Sequence, residues 1–255
     1  MFNIEDFDIK LETKYIGRHF LYSEEVDSTN SYLLNDKKKL ENGTVLLSEF
    51  QSAGKGRLSR SWYSNKLQNL TFSILLNEKL DKLNPNHINL AASLAVSHSI
   101  ENLYQLKTDL KWPNDVLIKN KKVSGILLES NSSGSKLDSI VIGIGLNANQ
   151  HRFEGEYRIQ PTSLKFEVKR EISRERLLSE VLNNFEEILY GLKSNTKKML
   201  DDWRDKCRMI GEHISIEING ELKGGIFYDI DANGFMILKD GDKLEKITNG
   251  DISVR

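Results

Sequence analysis

The chain lacks several features that mark particular classes of protein. It has a single cysteine, Cys207, in 255 residues, which excludes an internal disulfide framework and suits a reducing compartment. No apolar run approaches the length of a membrane span, and the N-terminal stretch MFNIEDFDIK is too acidic and too interrupted for a signal peptide. These absences predict a protein that does not enter a membrane, with the cytoplasm as its expected location.

The chain also lacks an excess of either charge. Lys plus Arg number 36 and Asp plus Glu number 37, so the formal net charge is −1. A general nucleic-acid-binding protein is expected to be more basic, so any anion site must be local. The length of 255 residues and the hydrophobic content of 38% predict one large domain and a smaller one.

The strongest local departure from charge balance is the stretch 51–62, QSAGKGRLSRSW, which we call the basic loop. It carries Lys55, Arg57 and Arg60, and no acid occurs from residue 50 to residue 77. Glycine permits close backbone approach, and the planar fork of arginine suits carboxylate and phosphate. The loop indicates a mobile cover over an anionic ligand. On charge alone, a solvated basic turn is an equally good interpretation.

Hydrophobic patterning predicts strands and helices on both sides of the basic loop. Strands are predicted at residues 19–26, 44–50, 70–76, 123–129 and 140–147, with a strand, sharp corner and strand at 110–118. Helices are predicted from Ser31, from Pro85 after an Asn84 cap, from a Ser173 cap to Leu192, and over 196–209. Gly143 and Gly145 are two residues apart, so they leave one strand face bare for a ligand or a packed helix.

The residue pattern of the sequence changes near residue 210. Five short strand-like segments with tight turns follow, which predict a small β-barrel. Cys207 lies just before this change, beside an apolar patch, and is predicted to be a buried small residue instead of a nucleophile. The predicted domains are therefore 1–209 and 210–255.

Several separated motifs together resemble the biotin–protein ligase family. The family's loop pattern GRGRxGRxW appears as GKGRLSRSW from Gly54 to Trp62, and KWPND is intact at residues 111–115. The pattern lysine, small residue, glycine, aliphatic residues and glutamate runs from Lys122 to Glu129, and the terminal GDISVR resembles the end of the family's C-terminal barrel. The occurrence of these motifs in order, over about residues 19–255, is highly specific.

The resemblance implies an α+β fold, in which helices flank a mixed, largely antiparallel sheet of the class II synthetase-like biotin/lipoate ligase type. The biotin- and ATP-binding catalytic domain would span 1–209, and a small SH3-like barrel would span 210–255. Fewer than twenty residues precede the first predicted strand, so we expect a ligase without the DNA-binding domain of repressor-type members. Family members often pair through the sheet edge, which leaves a homodimer as an open expectation.

The resemblance also implies a reaction in two steps. Biotin's carboxylate would attack the α-phosphate of ATP, giving biotinyl-5′-AMP and pyrophosphate, and a lysine of a biotin carboxyl carrier protein would then attack the mixed anhydride. The implied catalytic residues are Lys122, Arg57 and Asp115, since fixed charges can stabilise the charge that develops on phosphate. Asp115 is also the candidate general base. Mg²⁺ is expected with ATP, although spacing identifies no protein ligands for it.

Individual binding residues follow from the same resemblance. Biotin contacts are implied for Ser28, Thr29, Gln51, Gly54, Lys55, Arg57, Lys122, Gly125, Leu127 and Gly143. ATP contacts are implied for Arg57, Arg60, Trp62, Asn114, Asp115, Lys122, Asn147 and Arg255. Without the resemblance, a solvated charge is the favoured interpretation of Lys122. A core aromatic is the alternative interpretation of Trp62. Lys55 and Ser59 depart from the family pattern, which has arginine and glycine there.

Three other functions compete with this interpretation. A lipoate–protein ligase has a related fold and also adenylates an acid, but Ser28, Thr29 and the full basic loop favour biotin. A non-enzymatic nucleic-acid-binding protein could use the basic loop and the small barrel, but the balanced charge disfavours it. A P-loop NTPase is excluded because no Ser or Thr follows Lys55 and the preceding glycine spacing is wrong.

Overall fold

The computed structural model describes residues 1–36, 40–80, 83–134, 136–218 and 220–254. The strands of the larger sheet are β1 (Phe20–Ser23), β2 (Val45–Ser48), β3 (Leu70–Leu76), β4 (Asp109–Lys111), β5 (Asp115–Ile118), β6 (Lys121–Ser133) and β7 (Lys136–Leu146). The helices are α1 (Ile4–Lys10), α2 (Thr29–Asp36), α3 (Pro85–Tyr104), α4 (Leu164–Val168), α5 (Arg174–Leu192) and α6 (Thr196–Lys206). In the described ranges, no helix is long and apolar enough to cross a membrane.

Most predicted elements are present, but two helix ends were placed wrongly. The helix predicted from Ser31 begins at Thr29, and the helix predicted to reach residue 209 ends at Lys206. Cys207 ends this helix because it has an extended backbone and its N–H bonds to the carbonyl of Arg204. Helix α1 was not predicted, and the Asn3 side chain caps it by accepting two backbone N–H groups.

The larger sheet has seven strands in the order β1-β2-β3-β7-β6-β5-β4. Strands β1 and β2 are parallel, and the other neighbouring pairs are antiparallel. This confirms the predicted α+β fold with a mixed, largely antiparallel sheet.

The two faces of this sheet have different partners. Along β7, Ile142 and Ile144 belong to the main core, to which α3 and α5 contribute, whereas Val141 packs with Leu33 of α2 on the other face. Side chains alternate between faces along a strand, so Gly143 and Gly145 also lie on the α2 face. We call this side of the sheet the open face, because the bare glycines leave room above it.

Strand register arranges the open face in two rows. One row runs across the sheet through Asp115, Gly125, Gly145 and Thr71. The other runs through Leu127, Gly143 and Ser73. The rows are two residues apart along each strand, which corresponds to roughly 7 Å.

The C-terminal segment forms a five-stranded antiparallel sheet that packs against the larger sheet. Its strands are β8 (His213–Ile218), β9 (Glu221–Ile230), β10 (Met236–Asp240), β11 (Lys243–Ile247) and β12 (Asp251–Val254), in the order β11-β10-β9-β8-β12. The five predicted strands are therefore confirmed. The Trp112 indole N–H donates to the Gly234 carbonyl at 3.1 Å, and Arg208 pairs with Asp109 at 2.6 Å. Both contacts join this segment or its linker to the β4–β5 corner.

A buried carboxylate holds the N-terminal segment against the sheet. Glu49 follows β2 directly, is 2% exposed, and pairs through both carboxylate oxygens with Arg174 at the start of α5. The Tyr22 hydroxyl donates to the same carboxylate at 2.8 Å, and the Phe2 backbone N–H does so at 3.3 Å. Glu49 lies two residues before Gln51, so this cluster also anchors the start of the basic loop.

Candidate functional site

A cavity of about 1000 Å³ lies over the open face of the larger sheet. The predicted site residues that line it are Ser28, Thr29, Gln51, Lys55, Arg57, Arg60, Trp62, Asn114, Asp115, Lys122, Gly125, Leu127, Gly143 and Asn147. Gly54 does not line the cavity, and Arg255 falls outside the described residues. Residues far apart in sequence therefore meet around one space, whereas their individual binding roles stay predictions.

One end of the cavity is polar and uncharged. The Thr29 backbone N–H lies 2.8 Å from Gln51 Oε1, and the Thr29 hydroxyl lies 2.9 Å from the same oxygen. Thr29 is the first residue of α2, and a bridge between Val26 and Gln51 brings the start of the basic loop beside it. This end can therefore contact a neutral polar group.

Asn30 is a site residue that the sequence interpretation missed. Its side chain lies directly over Gly143, where an added Cβ would come 2.4 Å from Asn30 Oδ1. Residue 143 is therefore a glycine because the Asn30 side chain occupies the space that a Cβ would fill. Direct contact of Gly143 with a ligand stays a prediction. The available signal was the adjacency of Asn30 to Ser28 and Thr29, but a helix cap explained all three equally well.

Trp62 covers the other row of the open face. A Cβ added at Gly145 would lie 2.2 Å from the Trp62 ring, and one added at Gly125 would lie 3.2 Å from it. The Trp62 indole N–H is buried and has no hydrogen-bond partner in the described part of the chain. Trp62 is half-buried and lines the cavity, so the core-aromatic interpretation is wrong, while its predicted stacking on adenine stays a prediction.

Lys122 reaches into the cavity and forms an ion pair there. Its Nζ lies 2.5 Å from Asp115 Oδ1 and 5.7 Å from the centre of a Trp62 ring. The Lys122 and Asp115 side chains are 27% and 11% exposed, so the solvated-charge interpretation of Lys122 is wrong. A two-residue turn at Lys119 and Asn120, both with positive φ, joins β5 to β6 and brings the pair together.

The basic loop folds back on itself as a short hairpin. A bridge joins Lys55 to Ser61, and the Trp62 N–H donates to the Gly54 carbonyl at 2.9 Å. A Cβ at position 54 would come 2.4 Å from the Trp62 carbonyl oxygen, so Gly54 serves hairpin closure. Ser59 has φ +59°, a left-handed conformation that costs a non-glycine residue roughly 1 kcal/mol.

Two contacts attach the hairpin to its surroundings. Arg57 Nη1 donates to the Gly250 carbonyl of the C-terminal domain at 3.3 Å. Lys55 Nζ lies 3.9 Å from Glu129 Oε1 on β6. The basic loop therefore bridges the open face of the sheet and the second domain.

Two asparagines provide amide groups beside the Lys122–Asp115 pair. Asn114 Nδ2 donates to the Ile126 carbonyl at 2.6 Å, which fixes that side chain against β6. Asn147 Nδ2 donates to the Thr162 carbonyl at 3.1 Å. Asn147 Oδ1 is buried without a partner among the described residues, so it is available to a ligand donor.

The segment 153–161 forms a wall of the cavity that the sequence interpretation also missed. Its lining residues include Phe153, Tyr157, Arg158 and Gln160. The Lys122 N–H donates to the Gln160 carbonyl at 2.8 Å, and Arg158 pairs with Glu217 of β8 at 3.0 Å. This segment contains no regular helix or strand, so periodicity could not find it.

Neither a thiol nucleophile nor a protein metal cage is present in the described residues. Burial raises the pKa of Cys207 to about 12, which keeps its thiol protonated. Burial also raises the pKa of Asp109, although the Arg208 guanidinium opposes the shift. No group of three His, Cys, Asp or Glu side chains comes together there. An all-protein magnesium site does not fit, and a magnesium ion arriving with ATP would rely on phosphates and water.

Two family models match this chain. Residues 22–147 match the profile of the biotin/lipoate A/B protein ligase family, and residues 209–255 match the biotin protein ligase C terminal domain. The chain is 31% identical to the bifunctional ligase/repressor BirA of Bacillus subtilis, over 96% of this chain and 76% of that protein. It is 30% identical to the biotin--[acetyl-CoA-carboxylase] ligase of Mycobacterium tuberculosis, over 82% and 78%.

A solved structure extends the likeness to three dimensions. The biotin protein ligase from Aquifex aeolicus, in complex with biotin and ATP, superposes with a TM-score of 0.82 at 29% identity. The match covers 93% of this chain and 99% of that one.

Proposed function

The chain belongs to the biotin/lipoate A/B protein ligase family, and on that premise we propose that it is a biotin–protein ligase. It activates biotin with ATP to biotinyl-5′-AMP and pyrophosphate. It then transfers the biotinyl group to a lysine of a biotin carboxyl carrier protein. The supporting structural observation is that three groups of residues line one cavity. They are the neutral polar end with Thr29 and Gln51, the ion pair of Lys122 with Asp115, and Trp62 with Asn114 and Asn147.

The order of groups along the open face suits biotin. Thr29 and Gln51 lie beside Asn30, over the row that contains Gly143, and offer hydrogen bonds to an uncharged ring system. Lys122 lies over the neighbouring row, which is roughly 7 Å away along the strand. A ligand with a neutral polar head and a carboxylate tail can therefore reach both, with its carboxylate at Lys122.

Catalysis by this site rests on fixed charge and position. Two anions must meet, and charge then builds on the α-phosphate, so a cation placed at their junction lowers the barrier. Asp115 holds the Lys122 ammonium in place at 2.5 Å before substrate arrives. Arg57 and Arg60 of the hairpin line the same cavity and are suited to phosphate.

The direct test is transfer of biotin to a carrier domain. The protein is incubated with ATP, Mg²⁺, biotin and a biotin carboxyl carrier domain, and the carrier is then analysed by mass spectrometry. We expect a mass increase of one biotinyl group, strongly reduced in Lys122→Ala. Lys136→Ala, which alters an exposed lysine at the start of β7, is the matched control and should transfer normally. A carrier without added mass would refute the proposal.

A lipoate–protein ligase is the alternative with the nearest chemistry. The dithiolane ring of lipoate has no hydrogen-bonding group for Thr29 and Gln51, and leaving buried polar groups unpaired costs about 1–3 kcal/mol. Calorimetric titration with each acid separates the two functions. Lipoate binding without biotin binding would establish the alternative.

Two further expectations belong to this proposal. The free edges of the larger sheet are β1 and β4, so a homodimer paired through a sheet edge would use one of them. Sedimentation of the protein with and without biotin and ATP would detect such a dimer. The cytoplasm is its expected location, because a single cysteine suits a reducing compartment.

A further inference from the structure

The orientation of the Asn30 side chain is determined by two acceptors. Asn30 Nδ2 lies 3.1 Å from the Leu127 carbonyl and 2.8 Å from Glu129 Oε2. Neither a carbonyl nor a carboxylate oxygen can donate, so the amide nitrogen must face them. Asn30 Oδ1 is therefore left on the opposite side, where it can only accept.

This orientation decides where the Ser73 hydroxyl proton goes. Ser73 Oγ lies 2.6 Å from Asn30 Oδ1 and 2.7 Å from Thr29 Oγ1, and its side chain is fully buried. A hydroxyl has one proton, and giving it to Thr29 would leave two acceptors facing each other at Asn30. Such an unpaired buried contact costs about 1–3 kcal/mol, so Ser73 donates to Asn30.

Three oxygen–oxygen contacts, Asn30–Ser73, Ser73–Thr29 and Thr29–Gln51, share two hydroxyl protons, so one contact lacks a proton. Only the Thr29–Gln51 contact joins two residues that line the cavity, where a ligand donor can supply the missing proton, so Thr29 donates to Ser73. With its proton directed into the sheet, the Thr29 hydroxyl presents only lone pairs to the cavity that it lines. Gln51 Oε1 is held by the Thr29 backbone N–H at 2.8 Å and keeps a second lone pair, because the Thr29 hydroxyl proton is used elsewhere. The polar end of the cavity therefore offers two acceptors.

We infer that Asn30, Ser73 and Glu129 are positioning residues that set this hydrogen-bond polarity and so select a ligand whose buried end carries N–H donors. The inference rests on the proposed function, in which that ligand is biotin, whose cyclic urea has two N–H groups. None of the three residues needs to touch the ligand. They act through Thr29 and Gln51, which do.

Calorimetric titration of biotin into single and double variants tests this relay. In Ser73→Ala the Thr29 proton turns to Gln51 Oε1, 2.9 Å away, and removes one acceptor. One net hydrogen bond of about 1 kcal/mol corresponds to a roughly fivefold higher Kd for biotin. Because the relay acts through the Thr29 hydroxyl, Ser73→Ala should add no further loss to Thr29→Val. The KM for ATP and kcat at saturating biotin should stay unchanged.

Two more variants distinguish a loss of the relay from a loss of biotin binding that is caused by misfolding. Asn30→Ala leaves Ser73 in place but frees its proton for Thr29, so it should weaken biotin binding in the same direction. Ser99→Ala removes another buried serine hydroxyl, which donates to Ala95 within α3, and should bind biotin as the unaltered protein does.

The outcomes separate this inference from the proposed function. If the unaltered protein binds no biotin, the proposed function fails. If it binds biotin while both Ser73→Ala and Asn30→Ala keep the original Kd, the relay is refuted. Independent, multiplying losses for Ser73→Ala and Thr29→Val would refute it as well.

Discussion

Replacement of Arg174 by methionine should destabilise the protein more than any single surface change. Arg174 is 6% exposed and is the cation that pairs with both oxygens of buried Glu49. Removing one partner of a buried pair leaves an uncompensated charge and costs about 3–5 kcal/mol. At about 2–4 °C per kcal/mol for a chain of this size, we expect the melting temperature to fall by roughly 6–20 °C at pH 7.

The pH dependence of this loss has a definite sign. Burial alone raises the pKa of Glu49, but the hydrogen bonds and charge of Arg174 outweigh it and hold the pKa below the usual 4.5. Glu49 therefore stabilises the intact protein above about pH 4.5, and this contribution is lost as pH falls through the lowered pKa. In Arg174→Met only the hydrogen bonds from Tyr22 and Phe2 oppose burial, so we expect the pKa of Glu49 to rise above its unfolded value. As pH falls from that raised pKa to 4.5, the free energy of unfolding of the variant recovers by up to about 1.4 kcal/mol for each pH unit.

Thermal unfolding at pH 5.5 and pH 7.5 measures both effects. Lys165→Met breaks an exposed pair with Glu171 and is the matched control, with an expected change below about 1 kcal/mol at either pH. The double variant Glu49→Leu, Arg174→Met should recover much of the stability because no unpaired charge remains. A loss below about 1 kcal/mol for Arg174→Met, or an equal loss at both pH values, would refute the reasoning.

Three further predictions concern the site and its surroundings. Gly145→Ala places a methyl group 2.2 Å from the Trp62 ring, so the ring must move, and we expect transfer to the carrier to slow by roughly 10²-fold. Gly191→Ala, where an added Cβ meets nothing within 4 Å, should leave that rate unchanged, and equal rates for the two variants would contradict the prediction. Trypsin should cleave after Arg57 quickly in the ligand-free protein and slowly with biotin plus ATP. Equal cleavage rates would favour the interpretation of the basic loop as a solvated turn. Cys207 should resist Ellman's reagent until the protein unfolds, because burial raises the pKa of its thiol to about 12, and rapid native labelling would show that the thiol is accessible.

Sequence periodicity predicted the sheet well because its strands obey simple rules. Strand β3 was predicted with correct ends, since its seven residues are apolar or small and all are buried. Helix α3 was predicted from its cap and from Pro85 at its first position. Helix α1 escaped prediction because it is short, and tertiary contacts such as Phe2 on Glu49 stabilise it in place of a regular apolar stripe.

The candidate site was predicted as a set of residues but not as a geometry. Motif order brought Lys122, Asp115 and Trp62 into one group, and the structure places all three around one cavity. Their partners could not be predicted, because pairing depends on strand register and on the turn between β5 and β6. The wall at 153–161 has no periodic signal, and the Ser73 relay lies within an apolar strand where one hydroxyl looks incidental.

The bare glycines of β7 show why local sequence interpretation ends where tertiary contacts begin. Their spacing correctly predicted one open strand face, but it left a ligand and a packed element as equal alternatives. In the structure the two glycines have different neighbours. Gly143 leaves room for the Asn30 amide, and Gly145 leaves room for the Trp62 ring. The first is part of a fixed relay beneath the polar end of the cavity, whereas the second belongs to a loop hairpin. A ligand on this face must therefore work around Asn30 but can displace Trp62, so substitutions at Gly143 should damage the site itself, and those at Gly145 should damage its closure.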